Sequence, residues 1–481
     1  MRAGGTAFDA CVAAAFASTV AEPALTSLGG GGFLLAYESA ARRATLFDFF
    51  ADTPGRGRSA SALEPHFIPI PIHFTESIQT FNVGRGSVAV PGTLKGLLHV
   101  HERLGQLQLR EVLKPAICLA RDGVQLSKHQ AHFLEILNPI MSQTPQSSAL
   151  FTRNGAPLAS GERLKNPDLA CFLEALPDDR GQRFYEGKLA ERIEQETGED
   201  GILTAEDLAS YEVIERRPLE IEYRGQRVLT NPPPAFGGSL LALSLALLES
   251  QPLAELGWGS AGHLMLLITL QMEADRLREA GGLERFEQSL EVPVESAQRL
   301  RQATRGTTHI SVSDANGNLA SMTSSNGEGS GIVVPETGIM LNNMMGEDDL
   351  HPEGFHASPA GKRVSSMMSP TIVLREEKPP LVLGSGGSKR IRGAILQVLT
   401  HVLDFGHDLS TAVYAPRVHW DGEHVQVEPG FAQASLEALA RRWPVNLWSA
   451  LDVYFGGVHA VVPHEGGAGD PRRGGAVESV D

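Results

Sequence analysis

Apolar and polar residues recur along the chain with helical and strand periods in separate blocks. The Ala-rich segment 7–20 predicts a closely packed helix, because alanine has the highest helix propensity. Apolar runs at 33–37 and 44–50 predict two buried strands. Apolar or amphipathic segments predict further helices at 94–104, 109–121, 240–248, 264–278, 391–403 and 433–441.

Between these blocks the pattern is less regular. Residues 51–85 are rich in Pro, Gly and Ser, and we expect them to form a loop. Residues 127–215 are polar and helical in character, whereas 219–229 alternate as one strand would. Residues 282–304 are charged and lack strand character, which predicts a helix followed by an exposed linker.

After residue 307 the chain changes to short strand-like pieces separated by turn residues. The turn at 314–317 contains Asn-Gly, a strong hairpin signal. Strands in both halves, with helices grouped apart from them, indicate an α+β fold of two sheets covered by helices. The strand-like pieces are 308–312, 319–324, 338–342, 371–374 and 381–384.

Composition narrows the class of protein. A chain of 481 residues with 42% hydrophobic residues can bury a large core. A net charge of -16 repels phosphate backbones, so we expect no nucleic-acid partner. No apolar run approaches the ~20 residues that span a bilayer, so we expect no membrane partner either. Without a visible export signal, we expect the cytoplasm by default, with 7–20 as a buried helix rather than a signal peptide.

Several familiar kinds of site are missing. The chain has no Gly-x-Ser-x-Gly elbow and no phosphate-binding glycine fingerprint that follows a strand. The pairs His99/His101 and His129/His132 lack a third ligand at any usual spacing. Cys11, Cys118 and Cys171 are too few and too far apart for a disulfide or zinc framework and are expected to be small buried hydrophobes. We therefore expect neither a metal nor a cofactor.

The junction Gly306-Thr307, at the start of a predicted strand, suits an N→O acyl shift. Glycine has no Cβ to block attack of the Thr307 hydroxyl on its carbonyl. Cleavage there would free the α-amine of Thr307, which titrates near ~8 and can act as base for the hydroxyl of the same residue. On this segment alone, an ordinary polar strand with exposed hydroxyls is the favoured interpretation.

Two other segments add to this interpretation. The predicted turn at 314–317 folds Ser325 back beside Thr307, where its hydroxyl could orient the nucleophile. The glycine loop 384–388 follows an apolar strand, and its backbone N–H groups could bind a tetrahedral oxyanion.

Together these segments resemble the γ-glutamyltransferase family of N-terminal nucleophile hydrolases. The resemblance extends over nearly the whole chain, with the motifs in order. The motifs are Ala3-Gly4-Gly5-Thr6-Ala7-Phe8-Asp9-Ala10, Gly29-Gly30-Gly31-Gly32-Phe33, Val90-Pro91-Gly92-Thr93, Pro232-Pro233-Pro234 with Gly237-Gly238, Thr307-Thr308-His309-Ile310-Ser311-Val312, Leu341-Asn342-Asn343, Ser365-Ser366-Met367 and Gly386-Gly387-Ser388.

The resemblance implies a four-layer αββα fold, made after self-cleavage from a large subunit (1–306, with a helical lobe at about 127–215) and a small subunit (307–481). It implies attack by Thr307 on a γ-glutamyl amide such as glutathione, and release of the acyl group to water or an acceptor amine. The partners implied are this small-molecule donor and the two subunits of one precursor; a homo-oligomer is left open.

Matching positions imply roles for individual residues. Ser325 resembles the family's second active-site hydroxyl, normally Thr, and Asn326 its substrate-binding Asn. Glu347 is the residue implied to bind the donor α-amine, and Ser365 and Ser366 are those implied to bind the donor α-carboxylate. Gly386 and Gly387 are implied to bind the oxyanion.

The sequence departs from the family's pattern in three places. Phe50 stands where the family has an arginine for the donor α-carboxylate, although Arg56 or Arg85 could substitute. The segment from Glu347 to Ser365 is shorter than the family's lid, and the family's strand before Gly4 has no counterpart. We therefore expect weak use of glutathione and hydrolysis faster than transfer.

Two alternatives stay open. One is an acylase for another amide, such as a cephalosporin or glutaryl side chain or poly-γ-glutamate. The other is an unprocessed, non-enzymatic relative used for binding. Gly306-Thr307, Ser325 and the glycine loop together argue against the second.

Overall fold

The computed structural model describes residues 1–58, 66–74, 77–198, 200–279, 306–351 and 353–480. The helix and linker expected at 282–304 lie outside this range. The helices are Ala7–Ala21 (α1), Thr93–Leu104 (α2), Leu109–Asp122 (α3), Lys128–Ile136 (α4), Asn138–Met141 (α5), Pro145–Phe151 (α6), Pro167–Asp179 (α7), Gln182–Tyr185 (α8), Lys188–Thr197 (α9), Ala205–Ala209 (α10), Phe236–Glu249 (α11), Leu253–Leu256 (α12), Ala261–Glu279 (α13), Arg390–Leu403 (α14), Leu409–Tyr414 (α15) and Gln433–Ala440 (α16).

The strands are Gly31–Glu38 (β1), Arg43–Phe49 (β2), Ile68–Phe74 (β3), Ser77–Val83 (β4), Val124–Gln125 (β5), Thr152–Arg153 (β6), Ala156–Pro157 (β7), Arg163–Leu164 (β8), Ile214–Arg216 (β9), Leu219–Tyr223 (β10), Gln226–Thr230 (β11), Thr308–Ser313 (β12), Leu319–Ser325 (β13), Val333–Val334 (β14), Ile339–Met340 (β15), Thr371–Leu374 (β16), Leu381–Gly386 (β17), Val418–Trp420 (β18), Val425–Val427 (β19), Val445–Leu447 (β20), Gly457–Val462 (β21) and Gly466–Ala468 (β22).

The chain divides into two compact units. The first unit comprises Met1–Arg216 and Arg305–Ser366, and the second comprises Arg217–Thr304 and Met367–Asp481. Each of the two expected subunits, 1–306 and 307–481, therefore contributes chain to both units.

The first unit is built on an antiparallel sheet in the order β12-β13-β1-β2-β9. Strand alternation sends one set of side chains, including Leu34, Phe47 and Met322, into the core under α1 and α2. The opposite set, including Phe33, Asp48 and Thr323, shares the other face, because these three residues are paired across the strands. The polar residues Asp48 and Thr323 therefore lie on the face away from these helices.

Helix α1 confirms the expected buried helix at the start of the chain. Thr6 and Asp9 form a capping box that satisfies the first backbone N–H groups. Apolar side chains including Phe8, Val12 and Phe16 are buried in the core of the first unit.

The second unit contains a six-stranded antiparallel sheet in the order β10-β11-β16-β17-β21-β22. Helix α11 packs against β10, and α14 packs against β17 and β21. Each unit thus consists of a sheet with helices on it, as the grouping of elements in the sequence predicted.

The expected burial of all three cysteines was wrong, because Cys118 and Cys171 lie on exposed faces of α3 and α7 and only Cys11 is buried. Two predictions of local structure were also wrong. The expected loop 51–85 contains the hairpin β3-β4, in which Ile70, Ile72 and Phe81 are buried. The expected single strand 219–229 is a second hairpin, β10-β11, whose turn has positive φ at Arg224 (52°) and Gly225 (70°). Across the described ranges, no helix is both long and apolar enough to cross a membrane.

Candidate active site

The Gly306-Thr307 junction lies at the start of β12, beside the end of β13. The register pairs Thr308 with Ser324 and His309 with Thr323, which confirms the expected hairpin. Thr307 therefore lies next to Ser325, which pairs on its other side with Gly31 of β1. Both Thr307 and Ser325 are buried, with exposed fractions of 4% and 6%.

Only glycine fits at position 306 without local rearrangement. A Cβ there would lie 2.5 Å from the carbonyl oxygen of Gly327 and 2.9 Å from that of Ala24. Both neighbours are backbone atoms, which cannot rotate away as a side chain can. Gly306 is thus closely surrounded by backbone atoms of neighbouring segments.

Hydrogen bonds hold both ends of Gly306. The Ser325 hydroxyl donates to the Gly306 carbonyl oxygen at 2.5 Å, and the backbone N–H of Gly327 donates to that hydroxyl oxygen at 2.9 Å. The Gly306 N–H donates to Oε1 of Glu328 at 3.1 Å. A donor aimed at a carbonyl oxygen stabilises the negative charge that develops there when the carbonyl carbon is attacked.

A row of buried and half-buried polar groups continues along the same face. His309 Nδ1 lies 2.8 Å from Thr323 Oγ1, and its Nε2 lies 2.9 Å from Ser311 Oγ. On the opposite face, Thr308 Oγ1 donates to Glu22 Oε2 at 2.6 Å. The residues around Thr307 are therefore held by side-chain contacts on both faces of the strand.

Asn326 and Glu347 lie close to this junction. Asn326 is 1% exposed, and its Nδ2 donates to the Leu341 carbonyl at 3.4 Å. Its Oδ1 is buried with no hydrogen-bond partner among the described residues. The Glu347 carboxylate lies against Gly327, which has a positive φ of 63°. The structure thus brings Thr307, Ser325, Asn326 and Glu347 into one region.

Ser365 and Ser366 end the first unit, on a segment paired with the chain that follows β2. The Thr53 N–H donates to the Lys362 carbonyl at 2.8 Å, and the Val364 N–H donates to the Ala51 carbonyl at 2.9 Å. Ser365 Oγ donates to the Leu350 carbonyl at 2.7 Å, and Ser366 is 2% exposed. This pairing fixes the serine pair relative to the region of Phe50.

Phe50 packs as a core residue. It is 1% exposed and stacks on Phe33 with ring centroids 5.3 Å apart and an interplanar angle of 15°. Phe33 lies on the same face of the sheet as Thr323, and hence as Ser325. An apolar ring therefore occupies the position where the resemblance implied a cation.

Arg363 is a buried cation that the sequence analysis missed. Its guanidinium donates to Tyr211 Oη and to the Glu212 carbonyl, each at 2.7 Å, and ion-pairs with Asp52 at 3.2 Å. Burial raises the pKa of Asp52 to about 6, although Arg363 opposes the shift. The only hint in the sequence was a basic residue close to the serine pair.

The two arginines expected as substitutes have other contacts. Arg85 lies 3.7 Å from Asp200 in an exposed ion pair. The Arg56 guanidinium lies against Gly361, and its backbone N–H donates to Asp207 at 3.0 Å.

Gly386 and Gly387 belong to the second unit. Gly386 ends β17 and pairs with Gly457, and the Ser385 hydroxyl donates to its carbonyl at 2.8 Å. Gly387 has a φ of 120°, and a Cβ there would lie 2.8 Å from Gly456 Cα. A bulky residue at 387 would therefore disturb the fold itself.

Comparison with known proteins adds the family context. The family model described as gamma-glutamyltranspeptidase matches residues 1–285 and 284–480. The glutathione hydrolase proenzyme of Escherichia coli (strain K12) is 32% identical over 480 residues, covering 91% of this chain and 81% of the relative. The acylase ACY 1 proenzyme of Pseudomonas sp. (strain SE83) is 32% identical over 464 residues, with 92% and 83% coverage.

Among solved structures, the cephalosporin acylase from Bacillus halodurans superposes with a TM-score of 0.82 at 25% sequence identity. The match covers 100% of this chain and 92% of that one.

Proposed function

The chain belongs to the gamma-glutamyltranspeptidase family of N-terminal nucleophile hydrolases, and we propose that it cleaves itself between Gly306 and Thr307 and then hydrolyses γ-glutamyl amides with Thr307 as nucleophile. The relatives named proenzymes support maturation from a precursor into two subunits. The proposed subunits are 1–306 and 307–481.

The observation that carries this proposal is the arrangement at Gly306. Its carbonyl accepts a 2.5 Å hydrogen bond from Ser325, and its Cα has no room for a side chain. An N→O acyl shift requires a polarised carbonyl that is held in place directly before the threonine, and the Gly306 carbonyl meets this requirement.

In the self-cleavage step, Thr307 Oγ attacks the Gly306 carbonyl carbon and its proton passes to the amide nitrogen. The C–N bond breaks and an ester forms. Water then hydrolyses the ester, leaving a carboxylate on Gly306 and a free hydroxyl and α-amine on Thr307. That amine serves as base for the hydroxyl in the later reaction.

In the catalytic cycle, Thr307 Oγ attacks the γ-carbonyl of the donor, the amine leaves with a proton, and water releases the glutamyl group. Ser325 assists Thr307, and backbone N–H groups, which the family resemblance assigns to Gly386 and Gly387, bind the oxyanion. The donor is held by its α-amine and α-carboxylate. The residues proposed to bind it are Asn326, Glu347, Ser365 and Ser366.

A second candidate function is hydrolysis of acyl amides without a glutamyl carboxylate clamp. Phe50 supports it, because this buried ring stacks on Phe33 and offers no counter-ion. Loss of the charged partner of a buried ion pair costs ~2–5 kcal/mol of binding free energy. We accordingly propose weak use of glutathione. The segment from Glu347 to Ser365 is shorter than the family's lid and admits water, which favours hydrolysis over transfer.

One donor panel tests both candidates. Glutathione, a γ-glutamyl anilide, a glutaryl amide and poly-γ-glutamate are supplied to the wild type, Thr307→Ala and Phe50→Arg. We expect the wild type to hydrolyse the γ-glutamyl anilide and Thr307→Ala to hydrolyse nothing. Phe50→Arg should raise kcat/KM for glutathione by roughly 30-fold or more and leave the glutaryl amide unimproved.

Hydrolysis by Thr307→Ala at the wild-type rate would rule out the proposed nucleophile. Turnover of the glutaryl amide alone would favour the acylase. If Phe50→Arg improves both donors equally, the missing clamp does not set specificity.

A further inference from the structure

Glu328 is a buried carboxylate beside the proposed cleavage site. It is 1% exposed, and its Oε1 accepts the Gly306 N–H at 3.1 Å. A buried carboxylate is costly unless hydrogen bonds compensate for the lost water. One of its compensating partners is the residue whose carbonyl is attacked during maturation.

Asn343 holds Glu328 in place. Its Oδ1 accepts the Glu328 backbone N–H at 2.9 Å, and its Nδ2 lies 3.5 Å from Glu328 Oε2. Nδ2 also donates to the Asn82 carbonyl at 3.2 Å, which ties Asn343 to a neighbouring strand. The carboxylate is therefore held in position before the reaction begins.

Gly306 needs such an anchor more than another residue would. Glycine has the widest backbone freedom, so its carbonyl could rotate away from Thr307. Ser325 holds the carbonyl end of Gly306, and Glu328 holds its N–H end. Two anchors on one residue fix the orientation of the carbonyl plane, and orientation contributes strongly to reaction rate.

We propose that Glu328 is a positioning residue for self-cleavage, acting through the N–H of Gly306. This inference rests on the proposed function, because it requires cleavage at the Gly306-Thr307 bond. This role requires a hydrogen-bond acceptor on a side chain as long as that of glutamate. It does not require a negative charge.

Three substitutions distinguish the effect of side-chain length from the effect of charge at position 328. Glu328→Gln keeps the acceptor at full reach and removes the charge. Glu328→Asp keeps the charge and withdraws the acceptor by about 1.5 Å, one carbon–carbon bond. Glu328→Ala removes both. Glu336→Ala, at a residue with an 81% exposed side chain, is the matched control.

The measurement is the rate at which purified precursor converts to two fragments, with the small fragment sequenced from its N-terminus. We expect Glu328→Ala and Glu328→Asp to convert roughly tenfold or more slowly, as loss of the hydrogen bond to the Gly306 N–H predicts. Glu328→Gln and Glu336→Ala should convert within a few-fold of the wild type. Thermal midpoints, measured with Thr307→Ala added so that each chain stays whole, show whether every variant folds.

Wild-type conversion in Glu328→Asp, or conversion in Glu328→Gln that is as slow as in Glu328→Asp, overturns the inference. This pair decides the matter even if Glu328→Ala does not fold. Equal rates in all variants overturn only the role of Glu328. A wild type that yields no fragment beginning at Thr307 overturns the proposed function as well.

Discussion

Ser325 makes the most direct contact with the proposed cleavage site. Its hydroxyl donates to the Gly306 carbonyl at 2.5 Å, so Ser325→Ala removes the donor that stabilises the developing oxyanion. Loss of one such donor costs ~2.7–4 kcal/mol, which predicts self-cleavage slower by about 10²–10³-fold. Ser325→Thr keeps the hydroxyl and should cleave at close to the wild-type rate.

Ser324→Ala is the matched control, because that hydroxyl lies on the opposite face of the strand, 3.1 Å from Thr26 Oγ1. The measurement is conversion of precursor on a denaturing gel. Equal rates for Ser325→Ala and Ser324→Ala would contradict the role given to Ser325.

Asp52 predicts a pH dependence of stability. Burial raises its pKa from 3.8 to about 6, with Arg363 opposing the shift. The carboxyl is thus harder to ionise in the folded state than in the unfolded one. The stabilisation by the protonated Asp52 carboxyl is fully present below about pH 4 and is lost as pH rises through 6. At ~1.36 kcal/mol per pKa unit, the free energy of unfolding falls by at most about 3 kcal/mol.

Asp52→Asn cannot ionise, so its free energy of unfolding relative to the wild type should improve by about 1–3 kcal/mol between pH 4 and pH 7. Both chains carry Thr307→Ala so that each unfolds as one polypeptide, and denaturant unfolding is measured at each pH. Asp178→Asn, at a 71% exposed side chain, is the control. Parallel pH profiles for wild type and Asp52→Asn would show that the shift is absent.

At the scale of residues, the sequence was most informative where the chemistry is local. The Gly306-Thr307 junction and the turn at 314–317 together placed Ser325 beside the nucleophile, because a hairpin has a fixed register. Arg363 and Glu328 were missed, since their importance comes from partners distant in the sequence, such as Asp52, or from a buried contact with Gly306.

At the scale of elements, the end of β17 is restrained by its own backbone. Gly387 has a φ of 120° and lies against Gly456, so Gly387→Ala combines backbone strain with a steric clash. Gly257→Ala is a matched control, because Gly257 has a φ of 73° and no atom of the described residues lies within 4 Å of an added Cβ.

We expect Gly387→Ala to lower the free energy of unfolding by about 1–3 kcal/mol more than Gly257→Ala. Thermal midpoints of the two variants measure the difference. Equal midpoints would mean that the loop tolerates a side chain. In that case, any loss of activity in Gly387→Ala could be assigned to the oxyanion rather than to the fold.

Most helices and strands were predictable from periodicity, including α1, α2 and β12-β13. The hairpin β3-β4 was not, because prolines at 69 and 71 obscured the alternation of Ile68, Ile70 and Ile72. Proline is tolerated there since, among the described residues, β3 has a strand partner on one side only, in a two-stranded sheet. The hairpin β10-β11 was missed because Arg224-Gly225 is a weak turn signal between two short alternating segments.

At the scale of the whole molecule, the proposed cleavage point does not coincide with the division of the chain into two compact units. The proposed cut at 306 separates the chain into two subunits, and each of them supplies strands to both compact units. In the first unit, β12 and β13 of the proposed small subunit pair with β1 of the large subunit. These ladders need no intact Gly306-Thr307 bond, so we expect the fragments to stay associated after cleavage.

The most direct test of this account is the N-terminal sequence of the small fragment of purified wild type, together with its intact mass. We predict two fragments of about 33 and 19 kDa, in proportion to 306 and 175 of the 481 residues in 51.6 kDa, with the smaller beginning at Thr307. Thr307→Ala should remain a single chain. A small fragment beginning at any other residue, or a wild type that stays whole and is active, would contradict the account.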